Sequence, residues 1–195
     1  FGDVSALNPE SKIPTPNIDR IAKEGMIFTD GHSSSSVCTP TRYSVLTGRY
    51  HWRTHLQRGV LGGFSKPLIS PGRLTVASLL KQHGYATACI GKWHLGKAAF
   101  YPETQGYDVN IGGTYWGAPA TFFHPYRGHW SQSDPELRYV PVGPGQAGDY
   151  LTDKLTDHAL RIIEKQREQP FFLSLWFHTV HTPIEGKPKL VEHFK

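Results

Sequence analysis

Thr75-Val76-Ala77-Ser78-Leu79-Leu80-Lys81-Gln82-His83-Gly84-Tyr85-Ala86-Thr87-Ala88-Cys89-Ile90 is the stretch whose reading decides the fold. Thr75 is suited to cap a helix and Gly84 to stop one, so Thr75 to His83 reads as a helix. Tyr85 to Ile90 is short and apolar and reads as a strand. The same pairing returns downstream. Residues 150–168 read as the clearest helix, with Leu151, Leu155, Ala159, Ile162 and Ile163 on one face. Pro170 ends it, and Phe171 to Phe177 reads as a buried strand. Upstream, Thr15 to Gly25 reads as a short helix capped by Thr15, with Pro16 in its first turn and Gly25 as its stop. Met26 to Thr29 is expected to be a strand. A further helix is expected to open just after Cys38, with Pro40 in its first turn and Tyr43, Val45 and Leu46 packing. Strands alternating with helices predict an α/β sheet with helices on both faces. Residues 101–148 are rich in Gly, Pro, Tyr and His without sustained periodicity and read as long loops, which in compact domains are often functional.

The bulk numbers agree with a soluble globular core. The chain has 195 residues, 38% hydrophobic and 19% charged. No run approaches the ~18 apolar residues of a membrane span. The chain opens at Phe1-Gly2-Asp3, and no signal peptide is visible in it. The net charge is +5, with basic residues scattered rather than blocked, which argues for an anionic substrate over nucleic acid. Two cysteines, Cys38 and Cys89, are too few for a disulfide framework. Cys89 lies in an apolar run and reads as a packing residue, whereas Cys38 sits in a Ser-, Thr- and Pro-rich turn.

Cys38 at a helix N-terminus would meet unpaired N–H groups and the positive end of the helix dipole, a place suited to an anion. Arg42 follows one turn later. The plain alternative is a capped helix with a stray thiol, and local physics leaves both readings open. Two other anion chemistries do not fit. A cysteine phosphatase loop sets more residues between Cys and Arg than the three found here. A P-loop needs Lys and a Ser or Thr after its glycines, and Trp93 follows Lys92. His51 and His55 have a spacing that zinc ligands can use on a helix, but no third ligand of suitable spacing accompanies them. Tyr115, Trp116, Phe122, Phe123 and Trp130 read equally well as pocket-lining or loop-packing aromatics.

Cys38-Thr39-Pro40-Thr41-Arg42, with Thr47-Gly48-Arg49 following, resembles the first signature of the sulfatase family. Gly84-Tyr85-Ala86-Thr87-Ala88-Cys89-Ile90-Gly91-Lys92-Trp93-His94-Leu95-Gly96 resembles the second. Thr15-Pro16-Asn17-Ile18-Asp19 and His181-Thr182-Pro183 resemble further recurrent segments, so the resemblance covers nearly the whole chain and thins over 101–148. It implies an alkaline-phosphatase-like α/β sandwich with a central mixed sheet. Residues 1–195 would be an N-terminal part of the catalytic domain, truncated at both ends.

The resemblance also implies a chemistry. A formylglycine-generating enzyme would oxidise Cys38 to formylglycine, whose hydrate attacks the sulfur of a sulfate ester and then expels sulfate. Calcium would assist, with Cys38, as formylglycine, among its ligands. Arg42 matches the arginine that steadies the formylglycine, Lys92 and His94 the pair that contacts its hydrate and the sulfate, and His181 the histidine near sulfate and leaving group. His178 has no motif support and is expected to be structural or at the rim. Asp3 is not expected to be a ligand; the family's Asp-Asp and Asp-Asn metal pairs have no counterpart in these residues. The expected substrate is an aryl sulfate or sulfated carbohydrate, with neither nucleic acid nor membrane as a partner. The expected location is periplasmic or secreted. The alternatives are a phosphonate or phosphate monoester hydrolase and a non-catalytic homologue that binds sulfated glycans.

Overall fold

The computed structural model describes residues 2–63 and 65–195, in two compact units that divide after Ser33. The first unit holds helix α1, Pro16–Glu24. Thr15 precedes it as expected, but its hydroxyl does not cap the helix backbone. It donates instead to Asp19 Oδ1 at 2.8 Å, and Ser5 donates to Asp19 Oδ2 at 2.7 Å. The expected strand at Met26 to Thr29 does not form. Met26 and Phe28 are exposed, and a strand exists only where a neighbour takes up its backbone donors and acceptors.

The second unit is an α/β layer structure. Its elements are α2 (Cys38–Thr47), α3 (Val76–Gln82), β1 (Ala86–Gly91), β2 (Val109–Ile111), β3 (Arg127–His129), β4 (Leu137–Tyr139), α4 (Leu151–Gln166), β5 (Phe171–Trp176) and α5 (Pro188–His193). The main sheet has the order β2-β1-β5 and all its pairs are parallel. A separate antiparallel ribbon pairs β3 with β4. Strand β2 corrects the reading of 101–148 as loops alone. It is three residues long, too short to carry a periodic signal, yet it lies at the sheet edge with Ala88 opposite Val109.

Side-chain alternation explains why helices cover both faces. On β1, Cys89 points into a core with Tyr43 and Leu46 of α2 and Ala77 of α3, while Ile90 points into a core with Leu151, Leu155 and Ala159 of α4. On β5, Phe172 and Trp176 join the first core, and Leu173 and Leu175 the second. A parallel sheet buried on both faces requires this division. Thr75 opens α3 with a reciprocal capping box to Ser78 and donates to the Gln105 carbonyl at 2.7 Å. Two expected packing residues are instead exposed: Val45 and Ile163 lie on the outer sides of their helices. Among the described residues no helix is long and apolar enough to cross a membrane.

Candidate active site

The site forms where β1, β5 and α2 converge. Parallel strands β1 and β5 end in register, Gly91 opposite Trp176, so the segments leaving them emerge side by side at the carboxyl end of the sheet. Gly91 adopts φ +98°, and any Cβ there would overlap the Trp176 carbonyl, which accepts the Lys92 N–H at 2.7 Å. This close approach turns the chain so that Lys92 and His94 are buried beside Cys38.

Cys38 is the first residue of α2, and its Sγ lies 3.3 Å from His94 Nδ1. The other ring nitrogen, Nε2, is 2.8 Å from the Leu61 carbonyl. A carbonyl only accepts, so Nε2 carries a proton and donates to it, and Nδ1 faces the sulfur, to which it donates when the ring carries its second proton. His94 itself has φ +59°, and its carbonyl accepts from Thr39 Oγ1 at 3.2 Å. Thr39 Oγ1 in turn accepts the Leu61 N–H at 3.3 Å, so one buried hydroxyl ties α2, the β1 exit and the Leu61 loop together.

Burial pushes the Cys38 thiol up, but the His94 hydrogen bond, the charges of His94 and Lys92 and the Thr39 amide outweigh it, bringing the thiol down to about 6. Cys89 is the contrast: burial lifts it to about 12. Lys92 is lowered by its own burial and by Arg42, with Cys38 acting in the opposite direction. Arg42 NH1 donates to the Lys92 carbonyl at 2.6 Å, and its guanidinium lies 4.7 Å from the centre of the Trp176 ring. Burial brings Arg42 down to about 10.

His181 follows β5. Its Nδ1 lies 2.9 Å from the Thr182 carbonyl, which leaves Nε2 available, and its exposed ring shares a cavity of about 550 Å³ with Cys38 and His94. The structure thus brings Cys38, Arg42, Lys92, His94 and His181 to one end of the sheet.

Of the two expectations for His178, structural or at the rim, the structure gives the first. It is buried, and burial together with the charges of Lys92, Arg42, His181 and His94 holds it neutral, down to about 3. Its Nδ1 has no partner among the described residues. The residue immediately before a motif-bearing turn carried no signal of its own. Leu61 was also missed, because it acts through its backbone carbonyl. The aromatics divide: Trp116 and Trp130 line the cavity, Phe122 belongs to the α4 core, and Tyr115 and Phe123 pack on neighbouring rings. His51 sits in a three-residue 3-10 helix that ends before His55, so the two share no helical face.

The cavity lining contains no Asp or Glu, and no group of three or more His, Cys, Asp or Glu suited to a metal exists among the described residues. Calcium takes ~6–8 oxygen ligands. The described residues therefore do not themselves fit a calcium ion, and they present a cationic surface suited to an anion.

The family description "Sulfatase" matches residues 2–195. An N-acetylgalactosamine-6-O-sulfatase of Bacteroides thetaiotaomicron is 27% identical, over 97% of this chain and 47% of its own length. Arylsulfatase G of Mus musculus is 42% identical, over 89% of this chain and 32% of its own length. A protein solved in complex with k-i-k-neocarrahexaose superimposes with a TM-score of 0.77 at 26% identity, over 100% of this chain and 46% of that one. The chain thus spans less than half the length of these relatives. Its sheet is part of the alkaline-phosphatase-like fold they share. With both signatures meeting at Cys38 and the family match running from residue 2 to 195, the chain belongs to the sulfatase family.

Proposed function

We propose that the complete protein hydrolyses sulfate esters of carbohydrates at the carboxyl end of this sheet, with Cys38 converted to formylglycine. The observation that carries the reading is the Cys38–His94 contact at 3.3 Å, set at a helix N-terminus among Lys92 and Arg42. The surroundings already favour an anion on the Cys38 side chain. In the mature protein an oxygen takes the place of Sγ, and the hydrated aldehyde supplies a nucleophile with a built-in route for releasing sulfate.

The chain's own residues have separable roles in this reading. Lys92 and His94 are donors to the oxygens of nucleophile and sulfate, held in a desolvated site where such donors act most strongly. The Leu61 carbonyl fixes the His94 ring orientation. Arg42 adds positive charge while its hydrogen bond to the Lys92 carbonyl and its stacking on Trp176 hold the Lys92 backbone in place. His181, exposed in the same cavity, exchanges a proton with the leaving group. Calcium belongs to the reading only through ligands beyond those described, and none of these roles depends on it.

Carbohydrate is favoured over a simple aryl sulfate because the cavity is large and faced by Trp116 and Trp130, surfaces on which sugar rings pack. Relatives named for N-acetylgalactosamine sulfates, and one solved with its substrate D-glucosamine-2-N,6-O-disulfate, support the same class.

The test has two parts: peptide mass spectrometry of the Cys38 segment after expression with a formylglycine-generating enzyme, and turnover of the complete protein on sulfate and phosphate ester panels. An aldehyde at Cys38 with sulfate-ester turnover is expected. An unmodified thiol, or phosphate esters as the preferred substrates, would overturn the reading.

A further inference from the structure

The cavity that Cys38 and His94 line is also lined by Arg138 of the β3–β4 ribbon. Its guanidinium carbon lies 4.7 Å from the centre of the Trp116 ring and 4.5 Å from that of Trp130. Two aromatic rings hold the planar group in one orientation and strip much of its water. Asp134, four residues earlier, accepts one hydrogen bond from Arg138 NH2 at 3.2 Å. That leaves most of the five guanidinium N–H donors uncommitted to Asp134. Among the described residues, the buried Arg138 Nε–H has no partner, and neither has the buried indole Nε1–H of Trp116.

Buried donors without acceptors are costly, and a latch that only held the ribbon down would be expected to satisfy them. The cavity lining offers no carboxylate to do so. The same cavity holds Cys38 and His94, where the reacting sulfate is proposed to sit.

We propose that Arg138, held by Trp116, Trp130 and Asp134, is a specificity-determining residue that reads a second anionic oxygen group on the substrate, away from the sulfate being cleaved. The preferred substrate is then a sulfated sugar carrying either a further sulfate or a uronate carboxylate. Both sources offer two anionic oxygens at a spacing that a guanidinium edge matches. A sulfate ester lacking a second anion leaves the Arg138 and Trp116 donors without a partner.

This rests on the proposed sulfatase activity, and the test separates the two. The complete protein is assayed on three hexose sulfates: one with a single sulfate, one with a second sulfate, and one linked to a uronic acid. In parallel, binding of the same three sugars is measured by calorimetry in the non-turnover variant Cys38→Ser, with and without Arg138→Gln. The expected result is a preference for a dianionic sugar that Arg138→Gln reduces roughly 10- to 100-fold, the range of one charge-assisted hydrogen bond, in both kcat/KM and binding. Which of the two dianionic sugars carries that preference identifies the second group. Arg138→Lys, which keeps charge but loses the planar fork, should retain part of the preference and guards against a folding defect in Arg138→Gln. Equal losses on mono- and dianionic sugars, or no preference in the wild-type cavity, would overturn the assignment. Absence of all turnover would overturn the sulfatase reading alone, because the binding arm still decides the role of Arg138.

Discussion

The environment of Cys38 makes a measurable prediction about the unmodified thiol. In the complete protein made by a host that lacks the modifying enzyme, Cys38 remains a cysteine whose pKa falls from 9.0 to about 6. At pH 6 about half of it is thiolate, against roughly 0.1% of an ordinary thiol. A thiolate of lower basicity is also less nucleophilic: a Brønsted slope of ~0.4–0.5 over this shift makes each thiolate roughly 20-fold slower. The net gain in alkylation rate over an ordinary thiol is therefore about 25-fold at pH 6 but only about fivefold at pH 7. Iodoacetamide labelling followed by peptide mass spectrometry across pH 4.5 to 9.5 reads this directly, with Cys89, lifted to about 12, as an internal control that stays unlabelled. His94→Ala removes both the hydrogen bond and the positive charge and leaves the burial that opposes ionisation, so the labelling midpoint should rise by roughly 1–3 units. The sign for stability follows. A thiol depressed in the folded state adds stability above its unfolded value near 9.0, and that contribution is lost as pH falls through about 6. A wild-type midpoint near 9, or one unmoved by His94→Ala, would refute the reasoning.

Other outcomes can be checked on the complete protein. Lys92→Met should lower kcat ~10²–10³-fold while the melting temperature moves little, since it removes one donor to a developing anion but keeps the buried stem; near-normal turnover would take Lys92 out of the site. Gly91→Ala places a methyl group against the Trp176 carbonyl at positive φ and should destabilise the fold by roughly 2–4 kcal/mol in chemical denaturation. His178 stays neutral in the folded protein from 6.5 down to about 3, so the unfolded chain binds its proton first as pH falls. Urea midpoints at pH 7 and 5 should therefore show a wild-type loss of roughly 2 kcal/mol from this residue that His178→Gln removes; equal losses would contradict its buried, neutral state.

The parts of the fold that are legible in the sequence are those where local and tertiary demands coincide. Helix α3 and strand β1 are readable because Thr75 and Gly84 mark the helix ends while the apolar run of β1 is buried on both faces. Met26 to Thr29 has the same apolar character but lacks a partner strand among the described residues, and pairing is a property of two segments that composition cannot report. Strand β2 fails for the opposite reason: three residues pair with β1 although Val109-Asn110-Ile111 has no period to detect. In the site, Cys38, Lys92 and His94 are readable from two motifs, and their meeting is a consequence of β1 ending beside the start of α2. His178 and the Leu61 carbonyl are not readable. The first is distinguished from His181 only by the depth at which the turn after β5 places it, and the second acts through a group that every residue carries.

The charge balance of the site gives the last step. Arg42, Lys92 and His94 gather at one end of the sheet, and two of them are held by neutral partners: Arg42 by the Lys92 carbonyl and the Trp176 ring, His94 by the Leu61 carbonyl. A carboxylate at any of these positions would make the empty site more stable, because burying unpaired positive charge is expensive. It would also cancel the field that draws in an anion and would compete with the substrate for the same donors. Carbonyls and ring faces satisfy geometry without cancelling charge. Among the described residues, the depressed pKa values of Arg42, Lys92 and His178 record the cost of burying these groups without a carboxylate, and the thiol of Cys38, brought down by His94 and Lys92, records the effect of the charge. Arg138 repeats the arrangement in the same cavity, with the difference that Asp134 anchors one edge, and the Nε–H groups of Arg42 and Arg138 are both buried without a partner among the described residues. One cavity therefore presents two cationic positions with an aromatic wall beside the second, an arrangement complementary to a sugar bearing two anionic groups and poorly matched to a neutral one.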